Sequence, residues 1–387
     1  MSQTNRELIL SSSQNSTDDL ALKIFSGMVL EAFQQSSVFY DRSSTFISIK
    51  QIEGATSAQW PILGDDPAPS YHTAGQVINA QSTQGTNVAR IKTNEATVAV
   101  DEILVNALDV PFRDLEQAHF DVLGPYATKL GRSIARVLDK KIAILSVKAA
   151  RTSSSSGLHG GGYLVERNSS GSSGATAPGS TGLFTDATGY PLSPRGAYQF
   201  RSDVSSLAQA MDEKNVPAES RYLFISPYLK SVLRFEANFD GTNLTSVPVM
   251  SSTYDRNTSS APNDVNNRII GMLEGFKVIV TNHLPAADLS GGSLTGEDAA
   301  VAYDGRVTTG GKYQGRFDGN SQANGRPAAV ALCGADTGSP AIGMVQATGL
   351  TSYMERDERR NTMFLKSQIM CGLNVLCPWS AGAIQLY

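Results

Sequence analysis

The chain has 387 residues, 41% hydrophobic and 18% charged, with a formal net charge of -4. That length can bury a large core and points to two or three structural units. So low a charge gives no overall basic field for gripping phosphate backbones, which disfavours nucleic-acid binding as a primary task.

Residues 1–16 are rich in Ser, Asn and Gln with no apolar core, unlike a secretory signal. Ser16-Thr17-Asp18-Asp19 then reads as a helix start, with Leu20, Ile24, Met28 and Ala32 recurring every four residues and Phe25, Val29 and Phe33 widening the stripe. Strands are expected over 46–52 and 95–104. Between them, residues 54–88 carry only two charged side chains, Asp65 and Asp66, and are broken by Pro61, Pro67 and Pro69. This is a long two-stranded excursion with an irregular tip. Such a ribbon is marginal in water by itself, so contact with another copy of the chain is expected to order it.

A short helical lead-in is expected over 113–123, ended by Gly124. Pro125 then suits a first helical turn, and Tyr126, Leu130, Ile134, Val137, Leu138, Ile142 and Leu145 form one face of a helix reaching Arg151. At 1.5 Å per residue that helix is about 40 Å long. The Ser/Gly-rich stretch 152–182 reads as part of an inserted surface loop. A helix follows over 200–214 with Val204, Leu207 and Met211 inward, then a buried strand over 222–225, and Ser226-Pro227 opens a third helix over 228–235. Strands over 269–272, 276–281, 328–333 and 342–347 complete an α+β unit with a mainly antiparallel sheet. In the tail, Met363, Leu365, Ile369, Cys371, Leu373, Val375 and Cys377 share one face at period two. The uncharged run 367–387 therefore reads as strand, not as a membrane span.

Motifs for chemistry are weak. Asp336-Thr337-Gly338-Ser339 has the form of an aspartic-protease turn, but that chemistry needs two carboxylates sharing a proton and only one copy is present. A hairpin turn explains the same residues. The run 305–313 nearly spells a phosphate-binding loop, except that Gly311 displaces the lysine and Tyr313 replaces the hydroxyl that would meet magnesium. His72, His119, His159 and His283 are scattered, and Cys333, Cys371 and Cys377 form no CxxC pair, so no metal site, disulfide framework or cofactor is expected. A reducing compartment fits. Glu355-Arg356-Asp357-Glu358-Arg359-Arg360 alternates in sign. It reads equally as a solvated face or as a charge pattern fixing register at a subunit contact. Gln59-Trp60-Pro61-Ile62-Leu63, in so polar an arm, reads as an exposed apolar anchor for a neighbour.

In this order of parts the chain resembles the major capsid proteins of short-tailed double-stranded DNA phages. The resemblance rests on Leu20-Ala21-Leu22-Lys23-Ile24-Phe25, on Ser57-Ala58-Gln59-Trp60-Pro61-Ile62-Leu63-Gly64, on the long helix leading to Ala149-Ala150, and on the tail from Glu355 through Gly372-Leu373 to Pro378. Asn215-Val216-Pro217, Arg221-Tyr222, Ser226-Pro227, Gly275-Phe276-Lys277-Val278 and Leu284-Pro285 are similar to a broader set of tailed-phage capsid proteins.

The resemblance implies the tailed-phage capsid fold: an N-terminal arm (1–44), an extension loop (45–104), a peripheral domain with a spine helix (105–214, inserted loop 152–195), an axial domain (215–350) and a C-terminal strand segment returning to the peripheral domain (351–387). It implies a structural protein, not an enzyme, forming pentamers and hexamers of an icosahedral shell in the virion. Assembly would take place in the host cytoplasm with portal and scaffolding proteins. The shell would enclose double-stranded DNA without sequence-specific binding, and no membrane is involved. Gln59, Trp60, Ile62, Leu63, Glu355, Arg356, Asp357, Arg359 and Arg360 are the expected subunit contacts. The stretch 152–182 departs from the family pattern. Some relatives weld this loop to a neighbour through a lysine–asparagine bond, but residues 51–91 contain no lysine, so a noncovalent shell is expected. The alternatives are a nanocompartment shell of the same fold and an aspartic-protease-like enzyme using Asp336.

Overall fold

The computed structural model describes residues 17–40, 45–63, 74–75, 81–82, 85–86, 93–117, 123–152, 161–167, 194–233, 237–240, 243–248, 269–290, 294–303, 311–315, 317, 329–334, 338–357 and 359–386. In chain order, helix α1 (Thr17–Ser36) is followed by β1 (Ser48–Gln51), β2 (Ser57–Leu63), the short pair β3 (Gln81–Ser82) and β4 (Gly85–Thr86), β5 (Thr93–Ala99) and β6 (Glu102–Pro111). Then come α2 (Phe112–Gln117), α3 (Leu123–Arg151), β7 (Tyr163–Arg167), α4 (Pro194–Glu213), β8 (Arg221–Ile225) and α5 (Pro227–Leu233). The hairpin β9 (Ala237–Asp240) and β10 (Asn243–Pro248), β11 (Ile269–Leu273), β12 (Phe276–Val280), α6 (Gly296–Ala302) and β13 (Ala329–Cys333) follow. The chain closes with β14 (Ile342–Asp357), β15 (Thr362–Val375), a 3₁₀ turn (Pro378–Ser380) and β16 (Ala381–Leu386).

Two sheets organise these elements. One has the order β11-β12-β8-β13-β16-β7, the other β1-β14-β15-β6. The six-stranded sheet is covered on both faces, which is why β8 and β13 read as unbroken apolar runs. Alternation divides their side chains: Tyr222, Phe224, Val330 and Leu332 pack with α3, while Leu223, Ile225, Ala329 and Ala331 pack with α4 and α5. Three of its five pairings are antiparallel; β12–β8 and β16–β7 are parallel.

In the other sheet β14 and β15 make one long hairpin. At about 3.3 Å per residue the 16-residue β14 has a contour of roughly 50 Å. Its register slips twice between Gln346 and Thr351, each slip adding a residue to β14, as bulges do where a long ribbon must bend. The period-two face of β15 is real, and its buried row runs Leu365, Ser367, Ile369, Cys371, Leu373. Ser367 sits in that row because its hydroxyl meets the Ser352 hydroxyl at 3.2 Å.

Several expectations change. On α1 the buried stripe is Phe25, Val29, Ala32 and Phe33, while Ile24 and Met28 face solvent. The expected strand over 95–104 is two strands broken at Val100 and Asp101, one pairing with β2 and one with β15. Strand β2 was hidden by Pro61, tolerated because a two-stranded ribbon has only edge strands. Gly124 does not end a helix. It lies in the first turn of α3, where Pro125 is harmless because those amides have no intrahelical partner. α4 starts at Pro194, ahead of the expected 200. β7 occupies part of the expected inserted loop, most of which, with most of 152–182, lies outside the described residues. The expected boundary at 350 falls inside β14, and 351–387 divides between the two sheets, β15 in one and β16 in the other.

Candidate assembly surfaces

α3 is the strut on which the surfaces are mounted. Its first half packs with α1, β6 and the long hairpin through Ala127, Leu130, Phe25, Val29, Val110 and Leu365. Its second half, from Ile134 to Ala150, enters the core beside the six-stranded sheet. α1 crosses α3 at Gly131, where any Cβ would overlap the Val29 carbonyl oxygen.

Two polar ties run through this core. Asp139 is fully buried on α3, accepting hydrogen bonds from the amides of Val38 (2.7 Å) and Phe39 (3.2 Å) and lying 2.8 Å from His283 Nδ1. It pins the end of the α1 segment and the loop after β12 to one helix. The other tie is Lys141, whose ammonium lies 2.5 Å from Glu102 Oε2 and donates to the Tyr303 carbonyl at 2.8 Å. Lys312 joins it, 2.9 Å from Glu102 and 3.0 Å from Asp101. Burial alone would lower the Lys312 pKa, but the Glu102 and Asp101 carboxylates outweigh it and hold it above the ordinary value. Burial, with Glu102 beside it, pushes the Tyr313 hydroxyl well up. The same causes push the Cys371 thiol up to about 12. Asp101 and Glu102 stand where β5 gives way to β6, so this tie fixes the root of the ribbon. The second hub could have been suspected, since Lys141 interrupts the apolar face of α3; Asp139 could not, since it falls beside Arg132 on the polar side of that helix.

The ribbon pairs Ser57–Leu63 with Thr93–Ala99 in antiparallel register, and among the described residues no third strand joins it. Its root is clamped at Gly372, where a Cβ would overlap the Ala99 carbonyl oxygen, and by Asn374, which donates to the Thr97 carbonyl at 3.2 Å. Trp60 is not an exposed anchor. It is only 8% exposed and sits in a cluster with Val98, Val345 and Trp379. Its indole N–H donates to Ser48 Oγ at 3.1 Å, and the Lys50 ammonium stands 4.3 Å from the ring centre while donating to the Gln59 carbonyl. The reason is alternation: Ala58, Trp60 and Ile62 share the face turned to the body, leaving Gln59, Pro61 and Leu63 on the other. Leu63, at 63% exposed, is the large apolar side chain of that outer face.

The charged run is the far turn of the β14–β15 hairpin. Asp357 accepts from the amides of Arg359 (2.9 Å) and Arg360 (3.3 Å), and Asn361 supplies the left-handed residue with φ 54°. Arg356 stacks 4.4 Å from the Phe112 ring centre. Arg360 reaches Asp109 at 3.7 Å and Asp357 at 3.8 Å while 73% exposed, so these pairs add little stability. Glu355 and Arg359 are exposed with no ionic partner among the described residues. Ribbon root and charged turn thus lie at opposite ends of the hairpin. The sequence also gave no warning of the apolar outer row of β6, where Ile103 and Val105 are 57% and 45% exposed.

Asp336 and Thr337 lie outside the described residues, and Gly338 belongs to a bend leading into β14. Among the described residues no three metal-ligating side chains gather. Lys312, the lysine of the phosphate-loop look-alike, is committed to Asp101 and Glu102. No helix among the described residues is long and apolar enough to cross a membrane.

Residues 59–243 match the Gp10A-like major capsid protein family. The chain is 34% identical over 122 residues to the major capsid protein of Escherichia phage T7 and 33% identical over 130 residues to that of Enterobacteria phage T3. Those stretches cover 31% and 33% of this chain and 32% and 34% of the relatives. In fold it is similar to the capsid protein of Cyanophage P-SCSP1u, with a TM-score of 0.59 and 22% identity over 97% of this chain and 96% of that one. The mature capsid of bacteriophage PhiM1 gives 0.56 and 14% over 91% and 89%. Over residues 59–243 the sequence is thus similar to the Gp10A-like major capsid proteins, and over nearly the whole chain the fold is the tailed-phage capsid fold.

Proposed function

We propose that the chain is the repeating subunit of a phage head, assembling into pentamers and hexamers that close an icosahedral shell around double-stranded DNA, with portal and scaffolding proteins as assembly partners. The observation that carries this reading is the β2–β5 ribbon, two strands packed on the body at their root and built to be completed elsewhere. On this reading α1 belongs to the N-terminal arm and the ribbon is the extension loop. α3 with the four-stranded sheet is the peripheral domain, and the six-stranded sheet with α4 and α5 is the axial domain.

Leu63 and Gln59 on the ribbon, and Glu355, Arg359 and Arg360 at the hairpin turn, are the contacts we assign to neighbouring copies. Trp60 and Ile62 serve by holding the ribbon in place. The test is sedimentation and negative-stain imaging of the purified full-length protein under assembly conditions. Closed particles of uniform size are expected; a chain that stays at 41.2 kDa under every condition contradicts the reading.

A further inference from the structure

We propose that the outward face of α3 is a contact surface for the phosphate backbone of duplex DNA, turned to the inside of the shell; this rests on the shell reading above. The chain's net charge of -4 conceals a strong local asymmetry. α3 carries seven basic side chains and one acidic one, Asp139, which is buried.

At about 100° per residue, Lys129, Arg132, Arg136 and Lys140 fall within about 80° of one another and run about 16 Å along the axis. Lys129, Arg132 and Arg136 are exposed and Lys140 is half-buried, while Ala127, Leu130, Ile134 and Leu138 fill the opposite side. The helix's other cations turn inward, Lys141 to Glu102, Lys148 to the Gly311 carbonyl and Arg151 to Gln385. Glu297 of α6 lies 3.1 Å from Arg136 and 2.8 Å from Lys140, so that end of the stripe is partly neutralised. Lys129 and Arg132 have no ionic partner among the described residues.

Such a stripe recognises closely spaced anionic charge. Duplex DNA presents one phosphate per roughly 1.7 Å of axis, so 16 Å of helix faces several of them. No aromatic side chain lies among the four positions, so there is no platform for stacking the bases of a single strand. Nor does the face carry an amide to read base edges, so the contact is independent of sequence. Few cations, half of them shared with Glu297, make a weak contact, suited to a wall against which DNA must still move.

The test is fluorescence anisotropy of a labelled duplex of about 20 base pairs, titrated with full-length protein between about 25 and 200 mM salt. Lys129→Gln with Arg132→Gln is expected to reduce the slope of log affinity against log salt by about 1.8, two phosphate contacts at 0.9 each. Glu297→Gln frees two cations and is expected to steepen the slope. Unchanged affinity and slope in both variants overturn the proposal. So does a stripe-dependent gain for a polyglutamate peptide with no stripe dependence for duplex, which would assign the face to an acidic protein segment. Negative-stain imaging of the same preparations separates the two readings. Closed shells with stripe-independent DNA binding sink this inference alone, whereas failure of the wild-type chain to form shells sinks the shell reading.

Discussion

At the scale of single residues, burial decides which side chains hold the subunit and which are left for neighbours. Trp60 belongs to the first class. Trp60→Ala should cost about 3–5 kcal/mol of subunit stability, as large-to-small changes in a packed cluster do, measured by urea unfolding of unassembled protein. An unchanged unfolding midpoint would return Trp60 to the surface. The buried thiols give a pH prediction. Burial first, then Glu102 for Cys371 and Cys333 for Cys377, raises both thiols from 9.0 to about 12. The folded chain therefore keeps protons that the unfolded chain releases, so this stability is complete below pH 9 and declines as pH rises from 9 towards 12. Lys312, held above its ordinary 10.5, acts in the same direction, its contribution lasting until pH climbs past that value. A thermal midpoint flat from about pH 7 to 9 and falling above it is expected; a fall that begins at neutral pH would contradict it. Thiol reagents at pH 8 should label Cys371 and Cys377 only after unfolding, since both are protonated and covered.

At the scale of elements, the close approaches and turns are the points of leverage. Gly372→Ala would drive a methyl into the Ala99 carbonyl and lift the ribbon root from the sheet. Hydrogen exchange should quicken in β2 and β5 while α3 stays protected. Equal protection in both would mean the clamp has slack. How much of this was legible in the sequence follows from which signals are local. The period-two face of β15, the stripe of α3 and the apolar runs of β8 and β13 were readable because burial prints directly onto spacing. β2 was not, because Pro61 masks a strand whose edge position is known only once its single partner is seen. The length of β14 was hidden by a polar, half-exposed second half, read only as a charge run. On α1 the sequence offered two adjacent stripes, and only the packing against Gly131 selects the one holding Phe25, Val29 and Phe33. Among the expected contact residues, Leu63 and Arg359 face outward, whereas Trp60 misled because a lone tryptophan in a polar arm looks exposed until alternation turns it inward.

At the scale of the whole molecule, the chain is a well-packed body with two features at opposite ends of one long hairpin: a two-stranded ribbon with one outward face, and a charged turn that pairs weakly with itself. Arg359→Glu with Arg360→Glu should leave the unfolding midpoint of the subunit almost unchanged, since exposed ion pairs contribute under about 1 kcal/mol, yet abolish closed particles by opposing like charges. Many modest contacts, each weak enough to be corrected during growth, would then sum to a stable wall. Since residues 51–91 contain no lysine, mature particles should run as a single monomer band on denaturing gels, and a ladder would contradict a wall held by packing alone. The most direct measurement is a cryo-electron microscopy reconstruction of the assembled particles. It is expected to show pentamers and hexamers in which the outer face of each β2–β5 ribbon, with Gln59 and Leu63, meets an adjacent copy while Trp60 stays packed on its own subunit, and the 355–360 turns meet between subunits. Ribbons whose outer face touches no adjacent copy, or particles closed without them, would contradict the account.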